Sequence, residues 1–187
     1  MIARFTVLFA ALPLILPLAF SAPAIADHDD PSQTLIMETN KGTIRIRLMH
    51  DFAPNHTERL KTLSQEGFYD GVVFHRVIDG FMAQTGDPTG TGTGGSKYPD
   101  LKAEFSAVPF ERGTLGMARS QNPDSANSQF FIVYERSDWL DGQYTVVGKV
   151  IEGMDVADAL KKGDRANNGM VKDPDKIVRM RLASDTQ

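Results

Sequence analysis

Thr34-Leu35-Ile36-Met37-Glu38-Thr39-Asn40-Lys41-Gly42-Thr43-Ile44-Arg45-Ile46-Arg47-Leu48 is the stretch from which the fold of this chain can be read. Residues 43–48 alternate polar and apolar side chains strictly, as a strand with one wet and one dry face does. Residues 34–38 form a second β-rich run, and Asn40 and Gly42 flank the join, a choice typical of hairpin turns that need positive φ. Working outward, further strands are expected at 72–77, 81–85, 114–118, 129–134, 145–151 and 176–182. About eight short strands with Gly- or Pro-bearing connections suggest a sandwich or barrel. Two segments read as helices. Residues 54–66 begin with Pro54, carry Leu60 and Leu63 at helical spacing and stop at Gly67; residues 155–162 place Val156, Ala159 and Leu160 on one stripe before Gly163. The coarse picture is an all-β barrel with two helices closing its ends.

The chain upstream of this core has a different character. Arg4 precedes an apolar run from Phe5 to Phe20 that Pro13 and Pro17 interrupt, and Ala24-Ile25-Ala26 is followed at once by Asp27-His28-Asp29-Asp30. That order describes a secretory signal peptide, residues 1–26, cleaved before a polar tail at 27–32. A membrane anchor fits less well, because the run is short and carries two prolines. The expected location is a bacterial periplasm, with no membrane attachment after cleavage. The chain has no cysteine, which excludes a lipid-anchored precursor, disulfides, thiol nucleophiles and zinc–thiolate sites.

Composition narrows the remaining classes. With 187 residues, 41% hydrophobic and 24% charged, the chain fits one ordinary globular domain. A formal charge of −4 and no cluster of Lys and Arg argue against nucleic acid as a partner. No repeat of 20–50 residues recurs, and without long heptads or an extended apolar stretch a monomer is expected.

Between Thr85 and Phe110 the strand pattern gives way to Gly, Thr, Pro and Ser, which reads as a flexible loop. Its Gly90-x-Gly92-x-x-Gly95 formally matches a dinucleotide fingerprint, but no helix-forming run follows and no βαβ unit surrounds it. The chain has no G-x-S-x-G elbow and no H-E-x-x-H helix. Its histidines, His28, His50, His56 and His75, lack metal-ligand spacing, and His56 reads as a packing or capping residue of the first helix.

What remains are three windows dense in aromatic and polar residues. The first is Phe74-His75-Arg76-Val77-Ile78-Asp79-Gly80-Phe81-Met82-Ala83-Gln84-Thr85-Gly86-Asp87. The second is Gly116-Met117-Ala118-Arg119-Ser120 with Ser125-Ala126-Asn127-Ser128-Gln129-Phe130-Phe131-Ile132. The third is Trp139-Leu140-Asp141-Gly142-Gln143-Tyr144. In this order and spacing they resemble the cyclophilin family of peptidyl-prolyl cis-trans isomerases, from about Thr34 to the end of the chain.

The resemblance implies a closed antiparallel eight-stranded β-barrel capped by two α-helices, occupying residues 33–187. It implies an isomerase acting on proline-containing unfolded or partly folded polypeptides during folding of exported proteins, with no cofactor and no metal. Arg76 matches the family's catalytic arginine and Gln84 the residue that helps hold it. Phe81, Met82, Phe131 and Leu140 match the walls of the proline pocket, ordinary barrel core being the lesser alternative for each. Ala118, Arg119 and Ser120 match residues along the substrate backbone, with Gln129 nearby, and His75 and Trp139 match residues at the rim of the groove. Trp139 also matches the residue associated with cyclosporin binding, so inhibition by cyclosporin is expected. Three positions depart from the usual pattern: Arg119 for the common Asn, Ser120 for Ala, and Tyr144 for the His of many eukaryotic members. A peptide-binding module that grips X-Pro segments without isomerising them stays open as a rival on sequence alone.

Overall fold

A computed structural model of the chain describes residues 30–186. The expected leader at 1–26 and residues 27–29 of the expected tail lie outside the described residues. The quoted stretch forms a hairpin of β1 (Thr34–Thr39) and β2 (Gly42–Leu48), paired from Thr34↔Arg47 to Thr39↔Gly42. The positive φ of the turn falls on Gly42 (140°) and not on Asn40. A β-carbon at Gly42 would lie 2.8 Å from a Val156 methyl, so the position is restricted by packing as well as by backbone. Asn40 instead fastens the hairpin to the far end of the chain: its amide donates to Asp175 Oδ1 at 2.6 Å and its Oδ1 accepts from Lys176 N at 2.8 Å.

The other strands are β3 (Arg76–Ile78), β4 (Met82–Thr85), β5 (Thr114–Met117), β6 (Phe130–Val133), β7 (Val146–Glu152) and β8 (Ile177–Leu182). All pair antiparallel in the order β3-β4-β6-β5-β7-β2-β1-β8. The sheet curls into a half-barrel, but its ladder does not close as expected: β3 and β8 are its edges. The strand expected at 72–77 is split at this seam. Its first half turns to β8, with Gly71 N donating to Ile177 O, Ile177 N to Val72 O and Phe74 N to Asp175 O at 2.8–2.9 Å. A single bridge pairs Val73 with Lys176. Its second half becomes β3 and pairs with β4.

Helix α1 (Pro54–Gln65) has Pro54 in its first turn but no capping side chain at Ala53. Glu104 does the work from a distance, accepting from Asn55 N at 3.2 Å and His56 N at 3.1 Å. Those are backbone donors that a helix start leaves unsatisfied. The stop is local. Gly67 takes φ 69°, and Phe68 N and Gly67 N reach back to Leu63 O and Ser64 O, the paired bonds of a Schellman ending. Helix α2 (Met154–Asp158) is shorter than the expected 155–162. Its continuation is pulled away where Lys161 N donates to Asp175 Oδ2 at 2.8 Å.

Alternation along the strands divides the apolar residues into two groups. Leu35, Met37, Ile44, Ile46, Val77, Ala83, Leu115, Phe130 and Ile132 point inward and join Leu60 and Leu63 of α1 in the main core. Met82, Phe131, Val133 and Val146 point the other way and gather with Phe110 and Leu140 in a second cluster. That cluster, on the outer face of β3-β4-β6-β5-β7, underlies the groove.

Candidate active site

The register of four strand pairs draws one row across the outer face. Arg76 faces Gln84, Gln84 faces Phe131, Phe131 faces Gly116 and Gly116 faces Val146. Side chains of a row share a face because the strand repeat is two residues. Thus residues far apart in sequence become lateral neighbours. Gly116 leaves the room this requires: a β-carbon there would sit 2.6 Å from ring carbons of both Phe110 and Phe131.

Arg76 is held from both sides. Its Nη1 donates to Gln84 Oε1 at 3.1 Å, its Nε to Asn168 O at 3.0 Å and its Nη2 to Asn168 Oδ1 at 3.1 Å. Nη1 also lies 4.0 Å from the Met82 sulfur. None of these partners is a carboxylate. Burial pulls the guanidinium's pKa downward, yet such a group keeps its proton in proteins, so the site retains a full positive charge. Of five guanidinium N–H groups, three donate to oxygens and Nη1 also meets the Met82 sulfur, which leaves a second N–H on Nη2 beyond its bond to Asn168.

The amide orientations follow from this charge. Gln84 must present Oε1 to Arg76, so its Nε2 donates to Gln129 Oε1 at 2.9 Å. Gln129 Nε2 in turn donates to Gly92 O at 3.1 Å and Gly94 O at 2.8 Å. The relay starts at a donor-only guanidinium and ends at acceptor-only carbonyls, so each amide has one workable orientation.

Beside Arg76 opens a slot of about 110 Å³ lined by Arg76, Phe81, Met82, Gln84, Ala118, Arg119, Phe131, Leu140 and Tyr144. Its floor is rigid: Phe131 stacks on Phe110 at 5.8 Å and meets the edge of Tyr144 at 5.8 Å. Leu140 is presented by a short 3₁₀ turn, Asp138–Leu140. Asp141 braces that turn by accepting from Phe110 N at 2.8 Å and by pairing with Arg136. Trp139, on the same turn, is 61% exposed and tilts over Phe81 at 5.5 Å.

Ala118, Arg119 and Gln84 also border a larger polar hollow of about 560 Å³, which runs on past Gly94, Ser96, Asp100, Ser120, Ser125 and Asn127. Its loop wall, expected to be flexible, is tied down. The buried Asp87 carboxylate accepts from Thr89 N at 2.7 Å, Thr89 Oγ1 at 2.8 Å, Thr91 N at 3.1 Å and Gly92 N at 2.6 Å. Burial alone would raise this carboxyl, but the cluster of donors takes its pKa down to about 2. Asn127 Oδ1 accepts from Ser96 N at 2.8 Å. Ser120 N and Oγ bond Ser125 Oγ at 2.9 and 2.7 Å.

Most of the residues singled out from sequence converge here, with one correction. His75 does not reach the rim: it is 2% exposed, packed beneath the loop so that a β-carbon at Gly92 would contact its ring. Period two explains this, since Arg76 faces out and its neighbour must face in. Asn168 was not anticipated. The only local signal was the turn-prone pair Asn168-Gly169, with φ 52° and 74°, and nothing in it points to Arg76, 92 positions away. Among the described residues, no group of three or more His, Cys, Asp or Glu side chains is placed to hold a metal ion, and no helix is long and apolar enough to cross a membrane.

The sequence profile of the family described as cyclophilin type peptidyl-prolyl cis-trans isomerase/CLD matches residues 34–182. A Brucella suis protein named probable peptidyl-prolyl cis-trans isomerase is 52% identical over 181 residues, covering 91% of this chain and 92% of the relative. A peptidyl-prolyl cis-trans isomerase of Synechococcus elongatus is 46% identical over 132 residues, covering 70% and 90%. Among solved structures, a cyclophilin from Hirschia baltica superimposes with TM-score 0.76 at 29% identity, over 84% of this chain and 76% of that one. A Cryptosporidium parvum cyclophilin type isomerase, crystallised in the presence of the dipeptide Ala-Pro, gives 0.74 at 31% identity over 80% and 98%.

Proposed function

The chain belongs to the cyclophilin-type peptidyl-prolyl cis-trans isomerase family, and from that premise we propose that Arg76 carries the reaction, in the folding of exported proteins. The barrier to X-Pro rotation, roughly 20 kcal/mol, is the loss of amide resonance. No bond is made or broken, so the site need only bind the twisted amide more tightly than either planar isomer. As the amide twists, the prolyl nitrogen regains a lone pair and becomes an acceptor. A free N–H of Arg76 donates to it there and finds no comparable acceptor in the planar forms. The proline ring fills the apolar slot of Phe81, Met82, Phe131 and Leu140. Gln84 and Asn168 hold the guanidinium, so little reorganisation accompanies the twist.

One observation supports this reading above others: a desolvated guanidinium, fixed by amides and a carbonyl rather than by carboxylates, at the mouth of a slot sized for a small ring. Arg76→Ala is expected to lower kcat/KM on an Ala-Pro peptide at least about a hundredfold, with peptide affinity reduced far less. Equal rates for variant and wild type would overturn the role of Arg76.

The same reading takes proline-containing unfolded or partly folded chains as substrates and the periplasm as the place of work, with the protein a monomer. Export is supported by the leader-like residues 1–26; mature protein from the exported fraction should begin at or near Asp27, and a retained Met1 in the cytoplasm would refute it. Cyclosporin, seated against Trp139, is expected to inhibit.

A further inference from the structure

The groove carries a second guanidinium without a carboxylate partner. Arg119 donates from Nε and Nη2 to Gln143 O at 3.3 and 2.9 Å and from Nη1 to Ser120 O at 2.8 Å. Its Cζ lies 4.4 Å from the centre of the Tyr144 ring. Two carbonyls and an aromatic face fix the group before any substrate arrives, so binding need not order it. Arg112, Arg136, Arg181 and Arg45 instead pair with Asp158, Asp141, Glu38 and Glu152, while Arg59 and Arg165, like Arg119, donate to backbone carbonyls. In the groove, Arg76 and Arg119 keep their charge. Among the described residues, Asp100 is the only acidic one lining the two hollows, and it accepts from Asn127 at 2.9 Å; Asp87 lies buried beneath the loop amides. A chain whose formal charge is −4 therefore presents a positive groove.

Arg119 also stands where the two hollows meet. It borders both the ring-sized slot and the larger polar hollow, so a segment with its proline in the slot runs across it. Three of its five N–H groups are committed, leaving donors for a carboxylate, which a planar guanidinium recognises well. An ammonium at the same place meets like charge.

We propose that this isomerase selects X-Pro segments carrying an acidic side chain beside the proline, and that Arg119 reads that charge. The proposal rests on the isomerase reading above. The test uses short peptides with Glu, Ala or Lys at the residue before proline, and a second series with the change one residue further out. In at least one series, kcat/KM for Glu should exceed that for Lys by about tenfold at low salt, within the roughly thirtyfold that two opposed charge interactions at contact range in water would give. In 1 M NaCl, where screening acts over about 3 Å, the ratio should fall below twofold. Arg119→Gln should abolish the ratio, and Arg119→Lys should keep its sign. Equal Glu and Lys rates for wild type in both series, or an unchanged ratio in Arg119→Gln, would overturn the proposal. Failure of wild type on the Ala peptide would instead sink the isomerase reading itself, and this proposal with it.

Discussion

Arg76 sits between two residues with different histories. Gln84 is its cross-strand partner in a tight hairpin, and the spacing of eight residues that brings them together is visible in the sequence. Asn168 arrives from a turn near the other end of the domain, in the left-handed region that Asn tolerates better than most side chains. Its contribution can be separated from its backbone role. Asn168→Gly keeps the turn and the main-chain acceptor and removes only Oδ1; kcat is expected to drop severalfold while KM stays within twofold. Asn168→Ala adds the left-handed strain of roughly 1 kcal/mol, so it should lose the same kcat and also melt earlier. Steady-state kinetics beside thermal unfolding distinguishes the two, and an unchanged kcat in both variants would remove Asn168 from the site. Residue identity in the groove was therefore legible wherever a motif carried it. A contact closed by tertiary folding was not, and the inward turn of His75 needed the register of β3 to be seen.

Helix α1 shows the same division at the next level. Its stop, Gly67, lies beside it in the chain and could be read. Its start is organised by Glu104, nearly fifty residues on, and no local pattern reveals that. His56 Nδ1 meets Glu104 Oε2 at 2.6 Å, while its Nε2 is buried without a partner. Burial lowers the His56 pKa against the opposing pull of Glu104, so the ring is neutral and carries its proton on Nδ1. Burial works to raise the Glu104 carboxyl, but bonds from His56 and Asn55 hold it below the ordinary range. Both shifts have one sign for stability: in each case the unfolded chain binds protons more readily than the native one. The histidine term is complete above the unfolded value near 6.5 and declines as pH falls through it. The carboxylate term persists until pH drops through the unfolded value near 4.3 and is lost toward the folded one. Stability should thus decrease in two stages on acidification. Glu104→Ala should cost about 1–2 kcal/mol at pH 7, as loss of a helix cap does, and erase the lower stage. Denaturant titrations from pH 8 to 3 measure both, and a pH-independent midpoint would contradict the account. The strand expected at 72–77 failed at this scale too, because two sheet edges compete for one apolar run.

Across the whole molecule, strand alternation separates a load of inward side chains from a smaller outward cluster, and the groove is the open side of the latter. About eight short strands and two helices were legible from periodicity and turn residues, and their antiparallel arrangement followed from the family resemblance. The open seam between β3 and β8 was not legible, since hydrophobic pattern gives which face a strand buries but not where a ladder ends. One consequence of the layout concerns light. The sequence contains one tryptophan, and it is Trp139, mostly solvent-facing above Phe81 at the edge of the slot. Intrinsic emission should therefore be red-shifted in the native protein and move to shorter wavelength when a prolyl peptide covers the indole, giving a label-free titration of groove occupancy. Loss of the main core, by contrast, should be nearly silent in that channel, so folding is better followed through the buried tyrosines, Tyr69 and Tyr134.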